Sequence, residues 1–285
     1  MTKLSTTGPN KAGEDTETRA LPPVTQPASV RRVARGGTAL DCIDVLAEET
    51  PVAVVYNGVS HAVMMASPAD LEDFALGFSV SEGIADDKSD IGEIEAVAVD
   101  AGIEVRIALS SRAFWRLRER RRTLAGRTGC GLCGVDSLEQ TVRVMEPVKA
   151  DLRVPLDAIH RALDNLPEAQ INNRATRSMH AAAFATAQGE LKLVREDVGR
   201  HNALDKLIGA LLRGGIDPAA GVCLITSRCS YEMVQKAVVT GFPILAAVSA
   251  PTLMARRLAE AHNLTLIALA RHDSAVLVSH PKRVY

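Results

Sequence analysis

The feature that most constrains the fold of this sequence is a regular alternation of strand and helix patterns in its C-terminal half. Short apolar runs typical of buried strands occur at 180–187, 191–195, 222–226, 244–248 and 264–270. Segments whose apolar residues recur at helical spacing lie between them, at 200–212, 231–240 and 252–262. This alternation predicts an α/β fold with a mainly parallel sheet and helices on both of its faces.

Several charged residues stand at the predicted strand ends, where open α/β sheets bind their ligands. Arg228 follows one predicted strand, and the segment 194–206 spans the passage from a strand into a helix. A helix N-terminus offers free N–H groups to a phosphate, so Asp197 is predicted to cap this helix and Arg200 to bind the phosphate. The alternative is an ordinary surface helix whose charged residues make ion pairs.

The N-terminal part is predicted to be a smaller, β-rich α+β domain. Asn57-Gly58 between two strand-like runs predicts a tight hairpin. A second hairpin is predicted over 94–109. Between the hairpins, residues 67–83 show helical spacing, and Ser67 is the predicted N-cap of that helix.

Composition and pattern divide the chain into four parts. Residues 1–28 contain almost no large apolar side chains and predict a disordered tail, with structure beginning near Val30. Residues 29–125 form the predicted β-rich domain, and 126–150 a cysteine loop with a linker helix. Residues 151–285 form the predicted α/β domain.

Two cysteines, Cys130 and Cys133, lie in a loop rich in glycine. Glycine disfavours helix and strand, and the arginines upstream favour the reactive thiolate. Three interpretations stay open: half of a zinc site, a dithiol–disulfide couple, and a nucleophile that carries sulfur as a persulfide. Because the sequence has no second C-x-x-C and no H-x-x-x-H, we expect no bound metal.

Composition excludes several classes of protein. The 285 residues, 47% of them apolar, suit one large domain or two ordinary ones. A net charge of −1 gives no reason to expect nucleic acid or an anionic membrane as a partner. No signal-peptide pattern is present, and no run approaches the ~20 apolar residues that cross a bilayer. Five cysteines without a regular pattern are not typical of a secreted disulfide framework. We therefore expect a soluble cytoplasmic protein.

Four motifs, taken together and in this order, resemble the formate dehydrogenase accessory sulfurtransferase family (FdhD). They are the segments 130–134, 195–206, 230–237 and 247–252. The resemblance extends from about Val30 to the C-terminus. It implies that the α/β C-terminal domain is cytidine deaminase-like and that the protein is a homodimer.

The resemblance also implies a function. Such proteins accept sulfur from a cysteine desulfurase as a cysteine persulfide. They pass it to the molybdenum bis(molybdopterin guanine dinucleotide) cofactor that formate dehydrogenase needs. Cys130 is then the persulfide-bearing residue and Cys133 its partner.

The same resemblance indicates where the cofactor binds. The C-terminal segment Leu269, Ala270, Arg271, His272, Asp273 and Ser274 is implied to bind the guanine dinucleotide part. We predict that Arg200, His201 and Arg228 complete this site, which a guanine nucleotide alone is expected to occupy.

The sequence departs from the family pattern at a few positions. Arg177 and Ser178 stand where family members commonly have glycines, Ser227 stands where glycine precedes the arginine, and Leu269 replaces an aromatic residue. These positions lie in loops that we expect to contact the cofactor.

Two other functions compete with this one. A zinc deaminase needs H-x-E or C-x-E and P-C-x-x-C, whereas no His here is followed by x-Glu and Gly129 precedes Cys130. A non-catalytic chaperone that only holds the cofactor stays open, because such a protein would tolerate replacement of Cys130.

Overall fold

The structure is a computed structural model that describes residues 20–125, 145–271 and 273–285, with side chains in the first range up to residue 119. Some predicted features lie outside the described residues. They are the first part of the N-terminal tail, the linker helix predicted at 135–144, Cys130, Cys133 and His272.

The described chain begins with a two-stranded antiparallel ribbon of β1 (Thr25–Val33) and β2 (Ala39–Ala47). The predicted tail is therefore wrong for residues 25–28, which belong to β1. Backbone pairing with β2 holds this strand, supported by an ion pair of 2.7 Å between Arg31 and Asp41. Because burial of apolar side chains contributes little to the stability of this strand, the amino-acid composition of the segment did not indicate a strand.

A four-stranded sheet follows, and both predicted hairpins are confirmed in it. Its strands are β3 (Thr50–Tyr56), β4 (Val59–Ala66), β5 (Ile91–Val99) and β6 (Gly102–Leu109), in the order β4-β3-β6-β5. The two hairpins meet at the central pair β3–β6, which is parallel. Helices α1 (Leu71–Ser81) and α2 (Ser111–Ala125) contribute Phe74, Phe78 and Leu117 to the core of this sheet.

The predicted start of α1 is wrong. The helix begins at Leu71 with Asp70 as its N-cap residue, in the left-handed region at φ 51°. Ser67 does not cap it because its hydrogen-bonding groups are used elsewhere, in contacts with the C-terminal part of the chain.

The C-terminal part is built on a six-stranded sheet in the order β12-β11-β10-β9-β7-β8. Its strands are β7 (His180–Thr186), β8 (Leu191–Asp197), β9 (Gly221–Ile225), β10 (Ile244–Ala247), β11 (Thr265–Arg271) and β12 (Ser274–Leu277). Within this sheet only β9, β10 and β11 pair in parallel, and the other neighbouring strands pair antiparallel. The prediction of a mainly parallel sheet is wrong, since short connections after β7 and β11 reverse the chain and a short connection joins only antiparallel strands.

Helices cover both faces of this sheet, as predicted. They are α3 (Leu156–Ala169), α4 (Ile171–Thr176), α5 (Arg200–Gly214), α6 (Tyr231–Thr240) and α7 (Leu253–Ala261). Alternate residues of β9 separate the faces: Cys223 belongs to the core with α5, α6 and α7, whereas Leu224 belongs to the core with α3. None of the helices in the described ranges is long and apolar enough to cross a membrane.

The two larger sheets are joined by direct packing of α1 on α5. A Cβ atom on Gly77 of α1 would overlap the backbone carbonyl of Asp205, and one on Gly209 of α5 would overlap that of Asp73. Leu212 of α5 packs against the cores of both sheets. The position of α5 relative to the N-terminal sheet is therefore set by backbone contact.

Candidate functional site

The loops that follow the parallel strands lie side by side along one edge of the six-stranded sheet, called here the carboxyl edge. The N–H of Val248, after β10, donates to the carbonyl of Ile225 at the end of β9, at 3.0 Å. The N–H of Leu269 in β11 donates to the carbonyl of Ser249 at 3.2 Å. The ends of β9, β10 and β11 thus form one continuous surface.

Helix α5 begins at the same edge. Asp197, the last residue of β8, pairs with His180, the first residue of β7, and α5 starts at Arg200. The N-cap residue is Gly199, without a side-chain cap. The predicted capping by Asp197 is therefore wrong, although its carboxylate accepts the N–H of Gly199 at 2.7 Å. Arg200 is half-buried and forms no ion pair with a residue that the structure describes.

Two histidines flank Arg200 on this edge. Burial lowers the pKa of His201, and the charges of Arg200 and Lys236 lower it further. Burial and the charge of Arg200 likewise lower the pKa of His180. Both shifts favour the neutral imidazole. The buried Nε2 atom of His201 has no hydrogen-bond partner within the described part of the chain.

The other predicted cofactor-binding residues also lie at the carboxyl edge. Arg228 follows β9, and Arg271 ends β11; both are exposed and neither forms an ion pair with a described residue. Asp273 and Ser274 are exposed as well, and the Ser274 hydroxyl donates to the Asp273 carboxylate at 3.1 Å. Ala270 is only 1% exposed and packs in the core, so a ligand could reach only its backbone.

Among the described residues, this edge presents positive charge from Arg200, Arg228 and Arg271. Cavities of about 410, 1010 and 270 Å³ lie elsewhere on the molecule and include none of the predicted site residues. Surface cations and helix N–H groups are what the edge presents to a ligand.

Asp197 and Lys206 form a buried ion pair that sequence reasoning missed. Both side chains are fully buried, and the Nζ atom lies 2.7 Å from the carboxylate. They enclose Ser67, whose N–H donates to Asp197 at 3.0 Å and whose carbonyl accepts from Lys206 at 3.0 Å. The Ser67 hydroxyl accepts the N–H of Val198 at 3.1 Å. This part of the charged segment therefore joins the two sheets instead of facing a ligand.

A second buried cluster lies along the same interface. Lys236 of α6 contacts Asp205 of α5 at 2.9 Å and Glu82, after α1, at 2.6 Å. The Ser81 hydroxyl donates to Asp205 at 2.7 Å. Burial acts to lower the pKa of Lys236, but the two carboxylates outweigh it and raise that pKa. Asp205 and Lys206 lie within an otherwise apolar stretch of α5. Charged residues in such a stretch are the feature of the sequence that could have indicated buried charges.

Two of the cysteines that the structure describes are poor nucleophiles. Burial raises the pKa of Cys229 to about 12 and also raises that of Cys223. Cys42 is half-buried on the ribbon. Within the described ranges no group of three or more His, Cys, Asp and Glu side chains could hold a metal ion. The absence of a metal stays a prediction, since Cys130 and Cys133 lie outside those ranges.

One departure from the family pattern has a structural explanation. Arg177 has φ 59°, in the left-handed region that favours glycine. Its guanidinium pairs with Asp44 of β2 at 2.8 Å. The arginine therefore links the ribbon to the C-terminal part of the chain by an ion pair. Glycine at this position would relieve the backbone strain but could not form that ion pair.

The sequence matches a family model described as the FdhD/NarQ family over residues 47–285. A protein of Cupriavidus necator named "Sulfur carrier protein FdhD" is 52% identical over 265 residues, covering 93% of this chain and 92% of its own. A protein of the same name from Bordetella petrii is 51% identical over 259 residues, covering 90% of this chain and 93% of its own. These relatives match the chain over nearly its whole length.

A solved structure has the same fold. Its description is "Crystal structure of a putative formate dehydrogenase accessory protein from Desulfotalea psychrophila". The TM-score is 0.74 at 23% identity, covering 92% of this chain and all of that one. At this identity the likeness concerns the fold alone.

Proposed function

The chain belongs to the FdhD/NarQ family, and from that premise we propose that it is a sulfur carrier for formate dehydrogenase. In this proposal it accepts sulfur from a cysteine desulfurase as a persulfide on Cys130 and passes it to the molybdenum bis(molybdopterin guanine dinucleotide) cofactor. The name of relatives 52% and 51% identical supports the carrier role.

The chemistry on Cys130 is thiol–persulfide exchange. Its thiolate attacks the outer sulfur of the donor persulfide, the S–S bond of the donor breaks, and the donor cysteine leaves as a thiolate. The Cys133 thiolate then attacks the inner sulfur of the Cys130 persulfide. Its S–S bond breaks, the outer sulfur leaves as sulfide for the cofactor, and a Cys130–Cys133 disulfide remains. The raised pKa values of Cys223 and Cys229 support this choice, because both thiols stay protonated and buried at neutral pH.

One observation carries the cofactor-binding half of the proposal. Arg200, Arg228 and Arg271 come from three separate segments and lie along one edge without ion pairs to the rest of the described chain. Had each made its own surface ion pair, the phosphates of a dinucleotide would have found no free cations. Arginine binds phosphate through charge-assisted, often bidentate hydrogen bonds, and the N–H groups at the start of α5 add to this.

The proposal also covers assembly and fold type. We propose a cytoplasmic homodimer, and the ribbon supports this because Val33, Leu40 and Ile43 are 64%, 66% and 67% exposed on it. A two-stranded ribbon is marginal by itself, and a second copy would cover these side chains. Light scattering would measure the oligomeric state directly.

The mixed six-stranded sheet with helices on both faces supports a cytidine deaminase-like C-terminal domain.

Incubation with a cysteine desulfurase and cysteine is expected to add one sulfur atom to Cys130. Mass spectrometry of peptides locates the added mass. The Cys130→Ser variant should lose the added sulfur, whereas the matched control Cys223→Ser should keep it. Sulfur found on Cys42 or Cys223 instead would contradict the assignment. If Cys130→Ser protein still activates formate dehydrogenase, the non-catalytic chaperone becomes the better proposal.

Guanosine diphosphate is expected to bind and to raise the melting temperature. Arg228→Ala should weaken that binding more than tenfold, about 1.4 kcal/mol, because one of the phosphate partners is lost. Persulfide formation on Cys130 should be unchanged in this variant. Arg106→Ala, an exposed arginine on β6, is the control. The site is misplaced if nucleotide leaves the melting temperature unchanged, or if Arg228→Ala abolishes sulfur loading but not nucleotide binding.

A further inference from the structure

A cavity of about 1010 Å³ lies at the opposite end of the parallel strands from the carboxyl edge. Its walls come from the segment before α3, the end of α7 and the residues after β12. Its lining includes the charged residues Lys149, Asp151, Arg153, Glu260, Lys282 and Arg283. Arg283 contacts Thr265, the first residue of β11, whereas Arg271 is the last. At the rise of a strand, these two ends are about 20 Å apart, so the cavity is separate from the carboxyl edge.

Arg283 is a buried cation without a carboxylate partner among the residues that the structure describes. It is 8% exposed. Its Nε and Nη2 atoms donate to the carbonyl of Ala150 at 3.3 and 3.0 Å, and Nη1 donates to the Thr265 hydroxyl at 3.3 Å. These acceptors are neutral, and no described residue forms an ion pair with Arg283. Burial lowers the pKa of Arg283, which the more distant Asp151 only partly opposes.

The guanidinium of Arg283 also has N–H groups that could donate further hydrogen bonds. It carries five N–H groups, and the described hydrogen bonds use three of them. A buried charge is stable in proteins when it is paired and hydrogen-bonded. An anion in the cavity would supply the missing counter-charge to Arg283.

The rest of the lining adds positive charge. Lys149 and Lys282 are exposed and have no ion pair with any residue in the described ranges, and Arg153 stacks on the ring of Tyr285 at 5.6 Å. Of the two lining carboxylates, Glu260 already pairs with Arg256 at 3.1 Å. Among the described lining residues, Asp151 is the one carboxylate left to oppose four cations. The cavity therefore attracts anions.

We propose that this cavity binds a small molecule bearing a diphosphate group, with Arg283 in the buried wall and Lys149 and Lys282 at the rim. A guanidinium held in place by its protein contacts suits a phosphate, since its planar N–H groups match two phosphate oxygens. The volume is that of a small-molecule pocket. A free nucleotide and inorganic pyrophosphate share this chemistry.

Calorimetric titration of the full chain with inorganic pyrophosphate tests the proposal, with adenosine diphosphate in a parallel titration. Arg228→Ala serves as the background protein, so that binding at the carboxyl edge is weakened. In that background the double variant Lys149→Gln/Lys282→Gln should bind pyrophosphate at least tenfold more weakly. Both lysines are exposed, so their replacement should leave the stability of the fold unchanged. Tighter binding of adenosine diphosphate than of pyrophosphate would support the proposal and add a contribution from the nucleoside.

The charge-matched control is Lys88→Gln/Lys192→Gln, two lysines away from the cavity, which should bind as the background does. Hydrogen exchange should show protection by pyrophosphate in residues 149–154 and 280–285. Three outcomes would overturn the proposal. They are no binding of either diphosphate, equal weakening in the control variant, and binding of an acidic peptide but not of pyrophosphate. The part of guanosine diphosphate binding that Arg228→Ala removes belongs to the carboxyl edge, and it can be present or absent independently of all three outcomes.

Discussion

Replacing Asp197 by asparagine is expected to lower the free energy of unfolding by about 3–5 kcal/mol, although the two side chains have nearly the same shape. Asp197 and Lys206 are fully buried with their charged atoms 2.7 Å apart. Asparagine would leave the ammonium group of Lys206 in the interface without a counter-charge. Urea denaturation measures the loss, and a loss below about 1 kcal/mol would contradict a buried pair.

A double-mutant cycle distinguishes the unpaired charge from the other contacts of Asp197. Lys206→Met removes the cation and keeps most of the volume, so Asp197→Asn/Lys206→Met should be more stable than Asp197→Asn alone. The matched control is the pair of Arg31 and Asp41, whose side chains are 66% and 72% exposed. Arg31→Met should change stability by less than about 1 kcal/mol, because exposed ion pairs contribute little.

Replacing Gly77 by alanine is expected to destabilise the protein by about 3 kcal/mol or more, at the upper end of what overpacking costs. The added methyl group would overlap the carbonyl oxygen of Asp205 and lie 2.8 Å from the backbone nitrogen of Gly209. Backbone atoms cannot rotate away as a side chain can, so α1 and α5 must separate. This would open the interface that contains Lys206 and Lys236. Thermal and urea unfolding of the purified variant measure the effect.

The control for Gly77→Ala lies on the other helix. A Cβ on Gly214 would meet only Ile216, at an ordinary contact distance of 3.6 Å. Gly214→Ala should therefore stay within about 1 kcal/mol of the original protein, since alanine is the better helix former. Gly209→Ala should behave like Gly77→Ala because its methyl group would overlap the carbonyl of Asp73. Equal stability of Gly77→Ala and Gly214→Ala would show that the helices are not in backbone contact.

Sequence patterns predicted the helices, strands and turns well wherever residues close in sequence determine the structure. Asn57-Gly58 forms the turn between β3 and β4, because the tight turn needs backbone conformations that these residues adopt easily. Helix α6 has the predicted bounds, and α7 has the N-cap Thr252 within the predicted range. Hydrophobic spacing and turn chemistry act over a few residues, so sequence reading captures them.

The errors in the fold arose where pairing is not local. Strand β1 is held by its partner β2 and not by its own composition. The direction of β7 against β9 depends on which strands become neighbours after the chain has passed through α5. The position of Ser67 at the start of the helical pattern suits an N-cap residue. Its hydrogen-bond partners, however, lie 130 to 139 residues away in the sequence.

The sequence by itself determined the family motifs, the strand–helix alternation and the placement of Arg228 and Arg271 at strand ends. Periodicity and strand order along the chain are enough for those conclusions. Only the tertiary structure decided the roles within the charged segment, where Arg200 lies at the carboxyl edge while Asp197 and Lys206 are buried against Ser67. The reason is physical: a charged side chain is stable either in water or beside a buried partner, and the choice depends on residues brought together from distant parts of the chain.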